Sequence, residues 1–373
     1  MPSTAVRTVG VYFTNGKFYV VGGRSMDGVG NDFTHPFEYD PGSNSWSIKS
    51  AIYPDNQVSN MACGILTDSG TNYIYCVGGS AGGQTTATDR VFRYNPITDM
   101  IETIPSPWPG NADGITLPGG FVAFNNKLYI LGGFRINTEM IDTIWEFTPG
   151  SNTWVQKSAH LPVPLGYIPI AAIFTLIYTG GGSTWDGTTI HDSNNSFVYD
   201  PVADAISTIA NIPRATGETP ALSFAFLGST DYMMWVMGGG RDAPNPSNEI
   251  DIYDHFRNSW STFDHFLTPR RNFAVATGDS CYIWLAGGYA SDGITPLNSM
   301  EFFCFPAPTP TTTATFTPTT TATHAPTATA TATFIPTATA TVPRSPTPTP
   351  SETVPPMRDP PIPRPRPTPA PRP

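Results

Sequence analysis

Leu128-Tyr129-Ile130-Leu131-Gly132-Gly133 is an apolar run closed by a glycine doublet, one of six such doublets in this chain of 373 residues. The others are Gly22-Gly23, Gly78-Gly79, Gly180-Gly181, Gly238-Gly239 and Gly287-Gly288, so successive doublets lie 56, 54, 48, 58 and 49 residues apart. A nearly constant period of this length marks a repeat architecture, whose units cannot bury their apolar faces alone and stack on their neighbours.

Working outward from residues 128–133 gives the content of one unit. Gly120-Phe-Val-Ala-Phe124 precedes a turn at Asn125-Asn126-Lys127, and Ile144-Trp-Glu-Phe147 and Thr153-Trp154 follow the doublet. Short β-branched and aromatic runs bounded by Gly, Asn, Asp and Pro read as strands, and they leave no room for a long amphipathic helix. Four strands per unit are predicted. In five units an aromatic ending the third strand is followed seven positions later by a bulky residue: Tyr39 and Trp46, Tyr94 and Ile101, Phe147 and Trp154, Tyr199 and Ile206, Tyr253 and Trp260.

This pattern resembles the kelch repeat, in which a Gly-Gly doublet after the second strand is followed by a Tyr and a Trp at fixed spacing. Ile101 and Ile206 stand where the family has Trp. The resemblance covers residues 6–305 and implies an all-β fold, a six-bladed kelch-type β-propeller. Its blades are expected at 6–50, 60–104, 119–158, 168–210, 221–264 and 272–305. Kelch propellers include adaptors, substrate receptors, glycan-handling enzymes and copper oxidases, so the resemblance implies the fold more sharply than the activity.

Composition divides the chain. Residues 306–373 hold 20 of the 40 prolines and 21 threonines, and lack the apolar content to offset ordering entropy. A disordered, partly polyproline-like Thr/Pro/Ala-rich tail is predicted, either a stalk of the extracellular O-glycosylated kind or a plain linker. The tail has five Arg against Glu352 and Asp359, a net +3, so the formal −10 of the whole chain leaves −13 on residues 1–305. A domain this acidic is not built for nucleic acid. No run is long and apolar enough to span a membrane.

The last repeat has strands expected at 272–277, 281–288 and 299–305 but no fourth, and Pro2-Ser3-Thr4-Ala5-Val6-Arg7 looks like a connection into a blade. Either residues are missing upstream, a strand and a signal peptide among them, or the ring is slightly open. Cys63 and Cys76 would face each other across a hairpin centred on Ser69-Gly70, and Cys281 and Cys304 across one near residue 292. Two disulfides point to an oxidising compartment, secreted or cell-surface; free buried thiols are the alternative reading. No Cys/His spacing suits a metal.

Turns at one end of the blades are minimal, whereas the second-to-third and blade-to-blade connections are long: 24–36, 105–118, 160–169, 182–195, 212–221, 240–248 and 289–298. Function rides on such loops. All four lysines fall in short turns or outer strands, while Arg24, Arg135, Arg214, Arg241, Arg270 and Arg271 belong to the long-loop face. A guanidinium holds a carboxylate in bidentate fashion, and Trp108, Tyr167 and Trp185 offer flat apolar surfaces nearby. The arginines could equally pair with Asp27, Asp32, Glu139, Asp186, Glu218 and Asp242.

The sequence therefore predicts a monomeric, non-catalytic module that recognises a protein or glycan partner through its long-loop face. Arg24, Arg135, Arg214, Arg241, Arg270, Trp108 and Trp185 are its expected contacts, with no cofactor or metal. The alternative is an enzyme on an acidic sugar, resembling the sialate mutarotases of the kelch class, with Arg24, Arg241, Glu218 and Asp242 as its groups. A galactose-oxidase-like copper enzyme fits less well, because His35, His160, His191, His255, His265 and His324 do not cluster in the sequence.

Overall fold

The computed structural model describes residues 1–226, 229–278 and 282–304, and the tail predicted at 306–373 lies outside them. Five four-stranded antiparallel sheets and one three-stranded sheet form six blades. Their innermost strands begin at Val9, Ala62, Thr116, Ile170, Ala221 and Ala274. Each innermost strand adjoins that of the next blade, and Ala274–Thr277 adjoins Val9–Phe13, so the ring is closed.

The apolar runs exist because each blade is covered on both faces. Six buried clusters lie one to a seam between neighbouring blades. Along Lys17–Val21, Tyr19 and Val21 enter the cluster shared with blade two, while Phe18 and Val20 enter the cluster shared with blade six. Alternation sends successive side chains to opposite faces, so a strand buried on both sides must be apolar throughout.

The seven-residue register has an equally direct cause. Tyr39 and Trp46, Tyr94 and Ile101, Phe147 and Trp154, Tyr199 and Ile206, and Tyr253 and Trp260 are directly opposed partners of the third and fourth strands. Four of the turns are closed by the tyrosine hydroxyl, which donates to Asn44, Asp99, Asp204 or Asn258, each in the left-handed region that Asn and Asp tolerate.

The doublets lock one blade to the next. Gly23 donates its N–H to Val58 O, Gly133 to Leu165 O, Gly239 to Arg270 O and Gly288 to Ala5 O, while in blade four the equivalent bond to Thr216 O comes from Gly182, one residue past the expected doublet. Gly22, at φ +64°, allows no side chain, since a Cβ there would meet Val58 O at 2.3 Å. The seam between blades two and three lacks this bond among the described residues, and its innermost strand is extended to Thr116–Phe124.

Blade six shows strands Ala274–Thr277, Tyr282–Ala286 and Met300–Cys304 among the described residues. Residues 1–6 tie it to blade one: the Met1 amine donates to Asn298 O, Ala5 N–H to Leu297 O, and Val6 bridges Arg24. Cys63 and Cys76 are directly opposed and disulfide-bonded. The second expected pair includes Cys281, outside the described residues. Residues 182–195, expected as a loop, instead form a hairpin of Gly182–Trp185 with Ile190–Ser193. No helix among the described residues is long and apolar enough to cross a membrane.

Candidate functional site: the arginine-lined mouth of the channel

Where the chain enters the innermost strands on the long-loop face, Arg7, Asn60, Tyr167, Glu218 and Asn272 all adopt positive φ, between +48° and +60°. Asn takes this conformation readily, but for Arg, Tyr and Glu it costs of order 1 kcal/mol each. The five are joined through the backbone around the mouth. Asn60 N–H donates to Arg7 O, Arg7 to Asn272 O, Asn272 to Glu218 O and Glu218 to Tyr167 O. Blade three, where Pro118 and Gly119 take their place on the wall, interrupts the chain of bonds.

Glu218 is the buried centre of the polar groups, its side chain fully shielded from solvent. Oε1 accepts from Arg241 Nε, and Oε2 accepts from Arg271 Nη1 and from Asn272 Nδ2 at 2.7 Å. Burial alone pushes the Glu218 carboxyl up, but the positive charges of Arg241, Arg271 and Arg7 outweigh it and hold the group below the usual carboxylate range. The Arg271 guanidinium lies over the Tyr289 ring, 4.9 Å from its centroid, and Arg7 flanks the same ring at 5.6 Å. Tyr289 OH donates to Asp27 Oδ1 at 2.8 Å, and Arg7 Nε approaches both, 3.2 Å from the hydroxyl and 3.4 Å from the carboxylate.

Arg24 completes the group and is the least satisfied member. Its side chain is 8% exposed, its Nε stands 3.7 Å from Asp27 Oδ1, and it donates no hydrogen bond among the described residues. Burial and the neighbouring Arg7 charge push its pKa down. Four guanidinium groups therefore stand among three carboxylates, Glu218, Asp27 and Asp32, so cations outnumber anions by one. Asp32 also accepts from Gly82 N–H at 2.8 Å. Beneath the mouth the channel opens into a cavity of about 180 Å³. Val9, Phe121, Ile168, Ile170, Phe273 and Val275 are on its wall.

The structure brings Arg24 and Arg241 together, with Arg271 and Tyr167 beside them, and places the other expected contacts elsewhere. Arg270 is fully buried, donating to Gly287 O at 2.7 Å and to Glu301. Arg214 repeats that role in blade five, on Gly238 O at 3.0 Å and Asp251 at 2.8 Å. Arg90, which sequence reasoning passed over, does so in blade two through Gly78 O and Asp55. All three satisfy the carbonyl of a first doublet glycine, a structural duty. Trp108 is buried in the seam of blades two and three beside Trp154. Trp185 packs on Phe134, Arg135 pairs with Asp113 and Glu139, and Asp242 pairs with His191. Asp27, named as one possible partner of the arginines, stands beside Arg24 and Arg7, whereas Arg7, Asn60, Asn272 and Tyr289 were missed as site residues. Aligning the residue that enters each innermost strand, rather than the doublets, would have put Arg7, Asn60, Tyr167, Glu218 and Asn272 in one column.

The kelch motif model matches residues 62–99, which run from the innermost strand of blade two to the turn before its outermost. The Kelch-like protein terF of Aspergillus terreus is 26% identical over 193 residues, 49% of this chain and 39% of that protein. Residues 62–99 thus carry a kelch motif, and the chain is similar to kelch-repeat proteins over about half its length. Beta-scruin of Limulus polyphemus is 22% identical over 192 residues, 49% of this chain and 20% of that protein. The Kelch repeat and BTB domain-containing protein 1 of cowpox virus is 24% identical over 236 residues, 62% of the chain and 38% of that protein. The chain thus spans between a fifth and two fifths of the length of these relatives. The solved structure of YjhT superposes with a TM-score of 0.62 at 14% identity, over 81% of this chain and 95% of that one, a likeness of fold. A propeller with kelch repeats is suited to act as a binding module.

Proposed function

We propose that this kelch propeller is a non-catalytic binding module that draws a carboxylate group, carried by a protein or glycan partner, into the mouth of its channel from the long-loop face. One observation carries the reading: Arg24, nine-tenths buried and without a hydrogen-bond acceptor, sits beside Arg7 where cations outnumber anions. A desolvated guanidinium lacking an acceptor is costly, and a bidentate carboxylate is the geometry that satisfies it.

Acid–base catalysis on an acidic sugar is less well supported. Both Glu218 oxygens are occupied and the group is held ionised, whereas a catalytic acid needs a pKa near the working pH and a free proton to give. Titration calorimetry of the full chain against acidic and neutral ligands tests the proposal. Selective binding of carboxylates, lost in Arg24→Met, is expected; equal binding of neutral ligands would overturn it.

The Cys63–Cys76 bond supports placing the protein in an oxidising compartment, secreted or at the cell surface. Alkylation of the native protein before reduction should leave both thiols unmodified, and reduced thiols in a cytosolic fraction would refute the placement.

A further inference from the structure

We propose that the carboxylate is borne directly on a compact apolar body of about phenyl size, which enters the cavity beneath the mouth. This rests on the carboxylate reading above and specifies what the acid is attached to. The polar groups form one layer at the top, the ring of Arg7, Asn60, Tyr167, Glu218 and Asn272. Below it the wall is formed by Val9, Phe121, Ile168, Ile170, Phe273 and Val275. Two threonines interrupt this surface, and the Thr219 hydroxyl is already committed to Met237 O, leaving that of Thr8 without a partner among the described residues. A sugar acid lowered into such a place would bury several hydroxyls against a mainly apolar side-chain wall, each unmatched one costing roughly 1–3 kcal/mol. An apolar body has no such penalty and gains from leaving water. The volume agrees: about 180 Å³ is close to apolar protein cavities of roughly 150 Å³ that admit benzene.

Two sources share this chemistry, a free arylalkanoic or branched aliphatic acid and the C-terminal residue of a peptide with an apolar side chain. In the second case the propeller would read chain ends.

The test is titration calorimetry of the full chain with 3-phenylpropionate, 3-phenylpropanol, N-acetylneuraminate, glucuronate, and a peptide ending in Phe as free acid or amide. Binding of 3-phenylpropionate is expected, weakened at least tenfold in the alcohol and in Arg24→Met, and abolished in Ala221→Phe, which fills the cavity. Binding by the free-acid peptide and not its amide identifies chain ends as the source; binding by 3-phenylpropionate alone identifies a small acid. If the sugar acids bind and 3-phenylpropionate does not, the apolar body is overturned and the carboxylate reading stands. If no acid binds, both fall. The ligand series on the unaltered protein decides the matter even if Ala221→Phe fails to fold.

Discussion

Arg270 and Arg24 are both almost completely buried, and the contrast between them shows how one residue type serves two ends. Arg270 donates to Gly287 O, Thr268 O, Ser299 and Glu301, so every part of its guanidinium has a local acceptor. Arg24 has a carboxylate at 3.7 Å and no acceptor within hydrogen-bonding distance among the described residues. The first stitches the second and third strands of a blade to its connection. The second is held ready in a field of like charge, at a rim where residues in left-handed conformations have been assembled at a cost to stability. Burial alone does not separate structural from functional arginines; the count of satisfied donors does.

Four measurements bear on the difference between Arg270 and Arg24. Arg270→Met should cost about 3–5 kcal/mol in denaturant unfolding, because it strands the buried Glu301 carboxylate. A loss under about 1 kcal/mol would show that Arg270 is as dispensable to the fold as Arg24 is expected to be. Arg24→Met should weaken carboxylate binding at least tenfold, about 1.4 kcal/mol, while leaving stability unchanged or raised. A loss of several kcal/mol in stability would place Arg24 with Arg270 instead.

Glu218 links the two classes, since it is buried like a structural group yet anchors the mouth. Its folded pKa is depressed below the unfolded value near 4.3, so its contribution is present above that pH and is lost as pH falls through the folded value. Glu218→Gln should therefore be less stable at neutral pH, where Arg241 and Arg271 lose their counter-charge, and should show a shallower fall in stability below about pH 4. Unfolding curves at pH 7, 5 and 3 check this; parallel profiles for the two proteins would refute it. The smallest effect is expected of Arg135→Ala. Its ion pairs with Asp113 and Glu139 are partly exposed, so stability should change by less than about 0.5 kcal/mol and carboxylate affinity not at all.

Much of the fold was legible in the sequence because its signals are local. The seven-residue register from Tyr39 to Trp46 is a single hairpin, and Cys63 and Cys76 flank a tight turn, so a few consecutive residues carry each pairing. Apolar runs such as Phe18–Val21 announce two covered faces because alternation leaves neither face polar. The site was only partly legible. Arg24 and Arg241 were singled out together with Arg214, Arg270 and Trp108 because all five were assigned to the long-loop face, and composition does not say which way a side chain on that face turns. Arg7 reads in the sequence only as the end of a connection, and Tyr289 lies 262 residues from the carboxylate it holds.

The sequence by itself determined the repeat, the number of blades and the strand pairings, since the information for each lies within one period of about fifty residues. Which arginines are satisfied and which stand free was decided only by the tertiary structure. Ring closure brings five separate strand entries to one rim, sets the distances between guanidinium and carboxylate groups, and removes the water that would otherwise make every arginine alike.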